Sequence, residues 1–71
     1  MPDKLIAAVR RVGRARALVE RQRERIEKMK VDGLPSEREE KLLDTFAKTL
    51  ALFEEHESAL RDELQNEKPS G

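Results

Sequence analysis

The run Asp32-Gly33-Leu34-Pro35-Ser36 divides the chain into two long stretches of helical pattern, and it constrains the fold more than any other feature. Gly33 suits the left-handed C′ position that closes many helices, because a residue without Cβ meets no steric penalty there. Leu34 then falls at C″, where it can cover Met29 on the preceding turn. Pro35 lacks an N–H and holds Leu34 in extended geometry, so the first helix cannot run through it. Ser36 reads as the next N-cap, and Glu39 three residues later completes a capping box. At the other end Asp3, after Pro2, is a candidate N-cap. The expected layout is one domain over 1–66, with helices at 3–32 and 36–66 and a turn at 33–35. A polar, disordered tail is expected at 67–71. Gly13 is the one weak point inside a helix, at about 1 kcal/mol relative to Ala.

Each stretch carries an apolar 3–4 alternation, the mark of a helix with one buried stripe. In the first it runs Leu5, Ala8, Val12, Ala15, Val19, Gln22, Ile26, Met29. In the second it runs Leu43, Phe46, Leu50, Phe53, Glu57, Leu60, Leu64. The fold class is therefore all-α, an antiparallel two-helix hairpin. Its candidate core is Leu5, Val12, Ala15, Val19, Ile26, Leu43, Phe46, Leu50, Phe53 and Leu60. Small residues on one seam against large ones on the other let the helices approach closely. A short loop sets Val19 opposite the Phe46–Phe53 stretch and Leu5 opposite Leu60–Leu64. Within the seams, Gln22 reads as a register-setting polar residue. Glu57 reads as half of a partly buried pair with an arginine of the first helix.

Seventy-one residues lie near the lower limit for a self-sufficient core, and there is no Cys to staple the chain. The apolar positions also exceed what one partner helix covers. Ile6, Val9, Leu18, Leu42 and Leu52 flank the seams and form a candidate interface through which two hairpins would pair as a dimeric four-helix bundle. The alternative is a marginal monomer with scattered surface apolars. No apolar run approaches the length of a membrane span, and Leu5–Val9 fails as a signal peptide because Asp3 precedes it and Arg10-Arg11 follows. The expected compartment is the cytoplasm.

Net charge is zero, yet it is segregated. Residues 1–32 hold ten Lys/Arg against five Asp/Glu, and residues 33–71 hold five against ten. A basic helix raises a nucleic-acid reading, with Arg10, Arg14, Arg21, Arg25 and Lys28 as candidate phosphate contacts. Against it, the basic helix has no aromatic residue for stacking on bases, and its acidic partner lies alongside. Opposite charges that set antiparallel pairing explain the segregation more simply. Arg11, Arg16 or Lys4 can reach Glu54, Glu57 or Glu63. Along the helices Glu24–Lys28, Glu37–Lys41, Asp44–Lys48 and Glu57–Arg61 are favourably oriented i,i+4 pairs.

The side chains offer little to catalysis. His56 is the only histidine, and Phe53 stands three residues before it where a di-iron bundle requires Glu. No Gly-rich phosphate loop is present. The reading is no enzyme, no cofactor, no metal site and no small-molecule substrate, with a second copy and an unidentified protein as partners. Two segments, ERQRERI over 20–26 and LLDTFAKTLALFEEH over 42–56, together with the glycine-containing break, carry a family likeness. Over residues 10–60 the chain resembles a group of short, uncharacterised alphaproteobacterial hairpin proteins of rhizobial type. That resemblance implies a bacterial cytoplasmic protein and assigns no activity. The expected function is a non-enzymatic interaction module acting through homodimerisation and protein binding, with nucleic-acid binding by the first helix as the alternative.

Overall fold

A computed structural model of the chain describes residues 3–66. It contains two helices, α1 (Asp3–Val31) and α2 (Glu37–Asn66), packed against each other as an antiparallel hairpin. The tail expected at 67–71 lies outside the described residues, as does Pro2.

The hairpin turns because backbone groups at the end of α1 are satisfied locally. Gly33 adopts φ 73°, the only positive φ among the described residues. Leu34 N–H donates to Met29 C=O at 2.8 Å, and Gly33 N–H donates to Lys30 C=O at 3.1 Å. Those two bonds are the 6→1 and 5→2 pair of a Schellman motif, which places Gly33 at C′ and Leu34 at C″. Asp32 is the C-cap, so α1 ends one residue earlier than expected from sequence. Ser36 likewise sits just outside α2, which begins at Glu37.

The capping box differs from the expected one. Ser36 Oγ donates to Glu40 Oε2 at 3.2 Å, and Glu40 N–H closes the first turn onto Ser36 C=O at 2.8 Å. Glu39 is turned the other way, toward α1, where it accepts from Gln22. The reason is rotational: Glu39 stands four residues before Leu43 and seven before Phe46, on the seam of α2, whereas Glu40 lies beside the cap.

The two seams pack, but unequally. On α1, Ala8, Val12, Ala15, Val19, Gln22 and Ile26 are buried, with Leu5 and Met29 half-buried at the ends. On α2 no residue is fully buried: Leu43, Phe46, Leu50, Phe53 and Leu60 are all half-buried, like Leu5 and Met29. The core expected from sequence is thus one-sided. The Leu and Phe seam of α2 packs on the mainly Ala and Val seam of α1, and its larger side chains keep part of their surface open. A single partner helix cannot enclose a side chain as wide as Phe46 on both flanks.

Candidate interaction surface

The hairpin has two long edges where the helices meet, and they are built differently. On one, Arg16 donates to Glu54 at 3.1 Å and Lys30 lies 3.6 Å from Glu40. These cations and carboxylates bridge α1 to α2. The Arg16–Glu54 contact is the one realised among those expected of Arg11, Arg16 and Lys4. Both partners are about half exposed, so the pair orients more than it stabilises, at roughly 0.5 kcal/mol or less.

The other edge sets leucines among its charges. Leu18 of α1 and Leu42 of α2 line one groove with Phe46, and Arg21, Arg25 and Lys28 stand along its rim. Leu18 is 45% exposed and Leu42 42% exposed. Next to the groove the helices are joined by the Gln22 amide, which donates to Glu39 Oε2 at 2.8 Å and to Glu39 C=O at 2.9 Å. Arg25 approaches the same carboxylate at 3.6 Å. Toward the open end, Lys4, Ala7 and Arg11 line a second groove with His56, Leu60 and Glu63. His56 therefore stands beside Arg11, as a flank residue.

Glu57 is not paired with α1. It accepts from Arg61 Nε at 2.8 Å, one turn along its own helix, while its half-buried position faces the seam. The i,i+4 geometry delivers Arg61 without any reach across the hairpin, so the closer partner takes the carboxylate. Asp44–Lys48 forms at 3.0 Å. Glu24–Lys28 and Glu37–Lys41 do not appear among the ion pairs of the described residues.

The flanking apolar residues do not form one patch. Leu18 and Leu42 meet in the groove. Val9, seven residues before Arg16, falls on the ion-paired edge. Ile6 follows seam residue Leu5 by one position and joins Val9 on that edge, whereas Leu52 precedes seam residue Phe53 by one and lies on the Leu42 side of α2. Leu52 is 64% exposed. The five cations Arg10, Arg14, Arg21, Arg25 and Lys28 do share a side of α1, since their spacings of four, seven, four and three are helical repeats. All five are exposed, and Arg25 alone among them enters an ion pair with a described residue.

Glu39 is the residue that reading by motif misplaced. Its seam spacing from Leu43 and Phe46 was the signal that it faces α1. Among the described residues no group of three His, Cys, Asp or Glu side chains is arranged to hold a metal ion. No described helix is long and apolar enough to cross a membrane. Comparison with protein-family models, curated proteins and solved structures finds no match to this chain.

Proposed function

We propose that the chain is a non-enzymatic helical interaction module that homodimerises into a four-helix bundle and presents helix faces to a protein partner. The observation that carries this reading is the one-sided core: α1 has six buried residues, whereas α2 has none and only half-buries its seam. Its half-buried Leu and Phe side chains retain apolar area that a second layer of helices would remove from water, at about 25 cal/mol per Å². A cytoplasmic place and an alphaproteobacterial origin belong to the same proposal and rest on the sequence resemblance. Light scattering at tens of micromolar tests it. A particle of twice the 8.2 kDa chain mass is expected, and a persistent monomer with a high melting temperature would sink the reading.

Nucleic-acid binding is the second reading, favoured by Arg10, Arg14, Arg21 and Lys28, which run along one side of α1 and enter no ion pair with a described residue. Micromolar retardation of mixed RNA or DNA that weakens steeply with salt would support it. No retardation at low salt would remove it.

A further inference from the structure

α2 carries a second stripe, one residue behind the first. Leu42, Thr45, Thr49, Leu52, His56 and Ala59 each precede a seam residue, namely 43, 46, 50, 53, 57 or 60. One residue is about 100° of helix rotation, so the stripe lies a quarter-turn from α1, on the edge that the Leu18–Leu42 groove opens. It bears no Asp, Glu, Lys or Arg across five turns of a helix otherwise dense in them. All of it is exposed except the half-buried Thr49. Its polar atoms are partly satisfied already. Thr45 Oγ1 donates to Lys41 C=O at 3.3 Å, and Thr49 Oγ1 donates to Thr45 C=O at 3.1 Å. Neither hydroxyl demands a partner from outside, so covering them costs little.

The stripe is complementary to its own reversal. Turned about a point between Leu50 and Ala51, Leu42 meets Ala59, Thr45 meets His56 and Thr49 meets Leu52. Each leucine faces a smaller side chain. The charges beside the stripe, on the flank away from α1, follow the same rule. Lys41, Lys48, Glu55 and Asp62 are spaced by sevens, basic in the first half and acidic in the second, and all are exposed. In the reversed copy Lys41 comes within two residues of level with Asp62, and Lys48 within two of Glu55, about 3 Å along the axis. A parallel copy would set lysine on lysine and acid on acid. Lys48 leans on Asp44 in the single hairpin, an exposed contact that a cross-chain pair can share.

We propose that α2 pairs antiparallel with α2 of a second copy, across a two-fold axis near Leu50 and Ala51, through this stripe. The inference rests on the homodimer reading and names its contact face. A two-fold contact uses the same patch on both chains, which is what the self-reversed pattern supplies. Flanking charges of this kind set orientation in helix pairs.

Light scattering across a concentration series, with helicity followed by circular dichroism, tests it on four chains. The wild type is expected to dimerise. Leu52→Glu, at an exposed position, is expected to stay helical and become monomeric. Lys41→Glu with Lys48→Glu is expected to weaken the dimer about tenfold or more, since both contacts and their symmetry mates become repulsive. Adding Glu55→Lys and Asp62→Lys to that chain is expected to restore the wild-type constant. A wild-type dimer indifferent to Leu52→Glu and to charge reversal overturns this face and leaves the homodimer reading standing. A wild type that is monomeric throughout overturns both.

Discussion

Gln22 shows how one polar side chain ties the helices at a chosen register. It is 7% exposed in an apolar stripe, and its amide spends its donors on the carboxylate and carbonyl of Glu39. Removing the carboxylate leaves a buried amide with the backbone carbonyl alone and frees Arg25 from its 3.6 Å contact. Glu39→Ala is therefore expected to destabilise by about 1–2 kcal/mol in urea denaturation, mostly through the lost hydrogen bond. No loss would show that Glu39 does not hold the register. The two helical-hairpin glycines should respond with opposite signs. At Gly13 a Cβ would meet nothing within 4 Å, so Gly13→Ala gains helix propensity and is expected to stabilise by about 0.5–1 kcal/mol. At Gly33 the space is equally open but φ is 73°, and Gly33→Ala is expected to cost about 1 kcal/mol. Thermal melts of the two variants moving the same way would contradict this account of the turn.

At the scale of the element, α1 and α2 divide the labour of packing. α1 supplies a narrow, well-covered seam of Ala and Val, and α2 supplies the large side chains that cover it. Phe53 is one of these, half-buried rather than enclosed. A fully buried Phe→Ala costs ~3–5 kcal/mol, and partial burial scales that down to about 2–3 kcal/mol. In so small a domain this loss still consumes much of the stability. Phe53→Ala is expected to lose most of its helicity on mild heating, whereas Phe53→Leu keeps enough volume to melt near the wild type. Full helicity and an unchanged melt for Phe53→Ala would dismantle the seam assignment. The ion-paired edge contributes orientation by comparison, because exposed pairs such as Arg16–Glu54 are worth little each.

For the whole molecule, the decisive asymmetry lies between the two edges of the hairpin. One is laced by Arg16–Glu54 and Lys30–Glu40, and the other, tied near the turn by Gln22 and Arg25 to Glu39, exposes Leu18, Leu42 and the uncharged stripe of α2. Association through the second edge would couple folding to concentration by mass action. The melting temperature is accordingly expected to rise by several degrees between roughly 1 and 100 µM chain, given the steep dependence of small-domain melting on free energy. A melting temperature independent of concentration would identify the hairpin as a self-standing monomer.

The hairpin, its turn and the identity of both seams were legible in the residues, because each follows from short-range physics. Gly33 and Pro35 constrain backbone dihedrals directly, and a 3–4 alternation defines a helix face whatever packs on it. The partner of Glu57, the inward turn of Glu39, the incomplete burial of Phe46 and Phe53, and the contrast between the two edges were decided by the tertiary structure. They depend on how far one helix is slid and rolled against the other. A seam moved by one heptad presents the same apolar pattern, so periodicity leaves that shift open. Side-chain contacts across the joined helices close it: Gln22 reaches Glu39 and Arg16 reaches Glu54 at a single axial setting.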